Sequence, residues 1–184
     1  MPVPDFSPGE VLTAAAMDQV GLWLVKTQTI TSAASTQDIT GCFNSDFANY
    51  RVVIEGFTAS SITGTQIQML VGSTPTTANY YWSAIEITTA GSVTGTGGNN
   101  VSSASTQIIG FTTPAGASIE FYSPQKAIRT SFTSNGIDMR SLGAPFRYAS
   151  GFQDSNTQFD GFRILTGGAP TITGGTVRVY GYRN

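Results

Sequence analysis

In several segments after residue 21 apolar and polar residues alternate, and that period of two belongs to strands. In Tyr50-Arg-Val-Val-Ile-Glu-Gly-Phe57, one face carries Tyr50, Val52 and Ile54, and the other carries Arg51, Val53 and Glu55. The segment 66–71 groups Ile67, Met69 and Val71, and 118–122 groups Ile119 and Phe121. Within 159–165, Phe162 and Ile164 point one way. Within 176–183, Val177 and Val179 do so, with Arg178, Tyr180 and Tyr182 opposite. Segments 23–30, 80–87, 107–111 and 127–132 carry weaker versions of the pattern. This amounts to roughly eight to ten strands between Gly, Ser, Thr, Asn and Pro turns. Strands with one apolar face bury it most economically as two sheets packed together. The chain length and strand count suit a jelly roll better than a smaller immunoglobulin-like sandwich. The expected fold is therefore all-β, an antiparallel β-sandwich of jelly-roll type over residues 22–184.

The surface of such a body is unusual, because only 11% of the residues are charged against about a quarter in ordinary domains. Ser, Thr, Asn, Gln and Gly must cover it; the chain has 26 Thr, 19 Ser and 21 Gly. Disorder is the other fate of a polar chain, but 40% hydrophobic and 11% aromatic residues are enough for a core. The net charge of −2 argues against a nucleic-acid groove. No apolar run nears the length of a membrane span, so no membrane insertion is expected. The N-terminus lacks the basic start and long apolar core of a signal peptide, so synthesis in a cytoplasm without export by that route is expected.

Few residues suggest catalysis. The chain has no His, which removes the commonest general base and metal ligand. Cys42 stands alone, so no internal disulfide or cysteine-based zinc site can form. It reads as a small buried hydrophobe rather than a nucleophile. No cofactor is implied. Glu55, Glu86 and Glu120 fall in strand segments. A glycosidase would need two carboxylates facing across a sugar, whereas an alternating outward face needs nothing further. No calcium-loop spacing occurs, and Asp154 or Asp160 alone says little about a cation. Six of the seven Arg lie after residue 128. They suit subunit contacts, a sugar-binding face, or simply solvated strand positions.

The stretch 88–105, with Gly91-Ser-Val-Thr-Gly-Thr-Gly-Gly-Asn-Asn100, lacks any period and reads as a long hairpin tip or an exposed contact loop. It is not a phosphate loop, since no Lys-Ser/Thr and no helix follow. Tyr80, Tyr81, Trp82, Asn99 and Asn100 are the candidates for surface or host contact.

The first 21 residues differ in kind. Pro2, Pro4 and Pro8 favour an extended arm. Thr13 can cap a short helix through Ala14, Ala15, Ala16 and Met17, which Gly21 would end. A helix this small needs something to pack on.

Phe6-Ser-Pro-Gly-Glu-Val-Leu-Thr-Ala-Ala-Ala-Met-Asp-Gln-Val-Gly21 resembles the N-terminal signature of small tailed-bacteriophage virion proteins, with Asp18 where that signature has Asn. Asn49-Tyr-Arg-Val-Val-Ile54 and Val177-Arg-Val-Tyr-Gly-Tyr-Arg183 resemble a middle strand and the last strand of the same proteins. The resemblance implies a non-enzymatic virion structural protein, made in the host cytoplasm, with a jelly-roll body shown as an oligomer, often a trimer. It implies other virion proteins as partners, met through Phe6, Val11, Leu12, Met17 and Val20 of the arm. In a tail or fibre the body would face a host-surface glycan. On the head it would be a decoration protein clamping capsid subunits. A free carbohydrate-binding module is the remaining alternative.

Overall fold

Thirteen strands and no helix make up the described residues of the computed structural model, which are 21–110, 112–137 and 146–182. The expected arm and helix therefore lie, except for Gly21, outside the described residues, and so do Phe6, Val11, Leu12, Met17 and Val20. In chain order the strands are β1 (Trp23–Ile30), β2 (Thr36–Ile39), β3 (Asn49–Ala59), β4 (Thr63–Val71), β5 (Thr74–Pro75), β6 (Tyr80–Ile87) and β7 (Val93–Val101). They continue as β8 (Ala104–Gly110), β9 (Ala115–Tyr122), β10 (Thr130–Ile137), β11 (Phe146–Gln153), β12 (Gly161–Thr166) and β13 (Ile172–Tyr182).

Two antiparallel sheets result. The larger has the order β1-β13-β3-β9-β10-β11-β6-β7. The smaller has β2-β12-β4, with β5 and β8 both pairing with β4. Eight strands pair in a nested way: β1 with β13, β2 with β12, β3 with β9, and β4 with β8. The other strands of the larger sheet, β10, β11, β6 and β7, extend it beyond β9.

One core joins the sheets. Tyr50, Val52 and Ile54 of β3, Ile119 and Phe121 of β9, and Val177 and Val179 of β13 are buried on the larger sheet. Ile67 and Met69 of β4 and Phe162 and Ile164 of β12 meet them from the smaller one. The expected inward faces of these strands are therefore present, with one exception. Val71 is 47% exposed, because the chain reverses at Gly72 into β5. Phe43, Tyr50, Phe121 and Phe162 pack ring on ring, with centroids 4.7 to 5.9 Å apart. Cys42 is fully buried beside them, and burial raises its thiol to about 12.

Large and small residues alternate along one inner row of the larger sheet. Phe132, Gly151, Trp82 and Gly98 are direct cross-strand neighbours. A Cβ on Gly151 would lie 2.8 Å from the Phe132 ring and 2.7 Å from Trp82 Cβ. A Cβ on Gly98 would lie 2.3 Å from Trp82 Nε1. The glycines are thus the spaces that the aromatic side chains fill.

The stretch 88–105 corrects the sequence reading. Instead of a loop it forms β7, a short turn and the start of β8. β7 lies at the sheet edge, and of its nine residues only Gly98 and Val101 are even half-buried. With no face turned to the core, nothing selects for alternation, so the strand carries no hydrophobic period.

Candidate functional site

The extension of the larger sheet has an outer face that nothing in the described chain covers. Register lines up Arg51, Glu120, Thr133, Ser150, Ser83 and Gly97 on consecutive strands, from β3 across to β7. From Thr133 to Gly97 this row is small and hydroxylated. Two residues along each strand, on the same face, the next row carries Tyr122, Ser131, Phe152 and Tyr81. On the other side lie Asn135, Tyr148 and Ile85. Bulky rows flank a row of small residues, so the surface between them dips.

That dip is a groove running across the strands. One depression of about 670 Å³ is bordered by Tyr81, Asn99, Tyr122, Phe152 and the hydroxyl row. A second, of about 460 Å³, shares Ser83, Thr133 and Ser150 with it and is bordered by Ile85, Asn135 and Tyr148. A third, of about 700 Å³, shares Tyr122 and continues past Arg51, Glu120 and Tyr182 to Leu22. From β3 to β7 the line crosses five strand gaps, about 24 Å at normal sheet spacing.

The aromatic wall is braced by its neighbours. Tyr81 and Phe152 are stacked, and on the far side of β11 the Arg129 guanidinium sits 5.2 Å from the Phe152 ring centroid. Arg129 also holds Asp154 through Nε to Oδ1 at 2.6 Å. Arg129 and Tyr81 approach Phe152 from opposite neighbouring strands, so Phe152 is enclosed on both faces. The remaining free ring face belongs to Tyr81, towards Asn99.

Charges near the groove are matched within the chain. Arg51 donates to Glu120, its direct cross-strand neighbour, and the Tyr182 hydroxyl donates to Glu120 Oε2 at 3.1 Å. Burial, then the Glu120 charge, pushes the Tyr182 phenol up to about 12. Among the residues lining the three depressions, Glu120 is the one carboxylate.

The same pairing accounts for the other arginines of the described chain. Arg147 meets Glu86, Arg163 meets Asp38 and Arg178 meets Glu55. These partners come from adjacent strands and favour cross-strand pairs over free interface cations. Asp160 is also engaged, its carboxylate accepting the Gly72 N–H at 3.0 Å in the turn that ends β4. Arg140 and Arg183 lie outside the described residues.

Of the candidates from sequence, Tyr81 and Asn99 come together on the groove. Tyr80 does not: it is buried, and so it is withdrawn as a surface contact. Its hydroxyl accepts the Met69 N–H at 2.6 Å and donates to the Thr76 carbonyl at 3.1 Å, and burial drives its phenol far above the ordinary range. Trp82 borders the groove, but its indole lies over Gly98 and against the core. Asn100 is exposed in the left-handed region (φ 53°), at the irregularity between the Tyr80 and Trp82 registers, and positions Asn99 rather than lining the site.

Sequence reasoning missed Phe152, Tyr122, Tyr148 and the hydroxyl row. The available signal was an inverted pattern in Phe146-Arg-Tyr-Ala-Ser-Gly-Phe-Gln153, where the large residues alternate outward.

A scan against protein-family models, a search of curated proteins and a search of solved structures each found no match for the chain.

Proposed function

We propose that this chain is a non-enzymatic structural protein of a bacteriophage virion. In this reading it is a tail or fibre component that docks through its N-terminal arm and contacts a host-surface glycan with its β-sandwich. The observation that carries the reading is the groove on the outer face of the extended sheet. A pyranose ring has apolar C–H faces and a rim of hydroxyls. An aromatic side chain packs on the first, and Ser, Thr and Asn side chains exchange hydrogen bonds with the second. Tyr81 supplies the aromatic surface, and Ser83, Ser150, Thr133 and Asn99 supply the polar groups. Arg51 and Glu120 neutralise each other, which favours a neutral glycan over an acidic one.

Two further observations support the rest of the reading. The nested pairs β1–β13, β2–β12, β3–β9 and β4–β8, divided between two sheets, suit a jelly roll in which β5–β7 and β10–β11 are additions. The groove then lies on the additions, a site grafted onto a common scaffold. Leu22, Trp23 and Leu24 are all exposed where the arm enters the body, and such an apolar run suits a docking base.

Immunogold labelling of phage particles from the source of this chain tests the reading. Label at the tail tip or fibres supports it. Label spread over the head would make the chain a decoration protein, and particles without label would end the virion reading. A glycan array run with the full chain tests the groove separately.

A further inference from the structure

We infer that β7 is an interface strand, and that its partner is the β7 of a second copy of this chain, paired antiparallel. Sheet edges expose unpaired N–H and C=O groups, and monomeric proteins protect them with charges, prolines, bulges or shortness. The two edges of the larger sheet differ in this respect. At β1 a bulge interrupts the register between Leu24 and Lys26, and the Lys26 ammonium turns inward to the Thr40 carbonyl. Both features deter strand addition.

β7 has no such charge, and no bulge within its first six residues. From Val93 to Gly98 its register with β6 runs unbroken, and the whole strand contains no charged residue and no proline. Its irregularity comes only after Gly98. Thr94 and Thr96 lie on one face, with Gly95 and Gly97 on the other. No bulky side chain therefore obstructs an approaching backbone, the setting in which strand glycines are expected. An apolar row, exposed Phe146, half-buried Ile87 and exposed Val93, also runs up to this edge and stops there, with Val93 65% exposed.

The occupant follows from which edges remain. β1 is blocked, β2 has four residues and β5 has two. β8 is broken by a register shift between its pairs with Gly64 and Gln66. Among the described strands, self-pairing of β7 over Val93–Gly98 is thus the combination in which both partners offer a regular, uncharged edge, and identical edges close through a two-fold axis. Antiparallel addition within one continuous sheet places that axis normal to the sheet. The outer faces of both copies then look the same way. This two-fold pair replaces the three-fold grouping that the phage resemblance implies, and it stands whether or not the groove binds a glycan.

Sedimentation of the full chain tests the proposal, comparing the wild type with the double variant Thr94→Lys, Thr96→Lys and the control Thr27→Lys, Thr29→Lys on β1. A dimeric wild type and control with a monomeric, folded β7 variant are expected. Hydrogen exchange gives an answer independent of the variants. Protection of β7 amides should rise by at least an order of magnitude between dilute and concentrated wild type, with β1 unchanged. A monomeric or trimeric wild type, a β7 variant that stays dimeric, or β7 amides indifferent to concentration would overturn the inference.

Discussion

Phe152 and Tyr81 face each other directly across β11 and β6, their rings 5.1 Å apart and 14° from parallel. Both are on the side of the sheet that turns away from the core. Such a pair adds about 0.5–1.5 kcal/mol beyond its area. Tyr81→Ala should therefore lower stability by more than that amount, because the buried ring area is lost as well, while removing glycan binding. Thermal melting beside the glycan array checks both. Retained binding in a folded Tyr81→Ala chain would take the groove out of the ligand site.

Gly151 should not tolerate a methyl group. Its Cβ would lie 2.4 Å from the Tyr81 carbonyl oxygen as well as against Phe132 and Trp82. Overpacking of this kind costs about 1–3 kcal/mol. Gly151→Ala should show that loss in urea unfolding, and a change within about 0.5 kcal/mol, typical of an open surface site, would contradict the packing described.

Arg163 grips Asp38 with two parallel bonds, Nε to Oδ1 at 2.5 Å and Nη2 to Oδ2 at 2.8 Å. A lysine cannot reproduce that fork. The pair is partly exposed, so Arg163→Lys should cost no more than about 1 kcal/mol. A double-mutant cycle with Asp38→Asn should return a coupling of similar size. A cycle with no coupling would leave the pair a surface contact without energetic weight.

Alkali should unfold the protein. Burial raises the Cys42 thiol from 9.0 to about 12 and the Tyr50 phenol from 10.0 to about 12, and Tyr80 moves in the same direction. Each folded value exceeds the unfolded one, so above the unfolded value the unfolded chain binds fewer protons than the native one. Stability is then complete below about pH 9 and falls as pH rises towards 12. Far-ultraviolet circular dichroism against pH, with phenolate absorbance alongside, checks this. Tyr50 and Tyr80 ionising before the fold is lost would refute it. Cys42, fully buried, should likewise resist thiol reagents until unfolding, and Cys42→Ser should still fold.

The parts of the fold that were legible in the sequence are those where one face meets the core. Val52 and Ile54, Ile119 and Phe121, and Val177 and Val179 announce their strands because burial selects alternate positions. The groove strands give no such announcement. In β11 the inward positions are Arg147, Ala149, Gly151 and Gln153, small or polar because neighbouring aromatics and β8 fill the space. Its bulk, Phe146, Tyr148 and Phe152, points outward. In β10 only Phe132 marks the inner face clearly, and so the pattern points to 127–132, earlier than the strand itself. Tyr81 lines the groove while Tyr80 is buried, and a run of three aromatics does not say which of them faces in. The arginines looked like a late-sequence cluster, yet their partners Asp38, Glu55 and Glu86 come from far earlier in the chain. Only register reveals such pairs.

The nesting of β1 against β13 and β2 against β12 sets an order of events during synthesis. β1 and β2 leave the ribosome long before their partners β13 and β12. Until then their unpaired edges are exposed to solvent and to other chains. Closure of the sandwich must therefore wait for β12 and β13 and be slow, as expected when distant segments have to meet before local contacts reward them. A chain interrupted before β12 would leave β1 and β2 without their partners. Premature termination should therefore yield aggregate rather than a smaller folded unit.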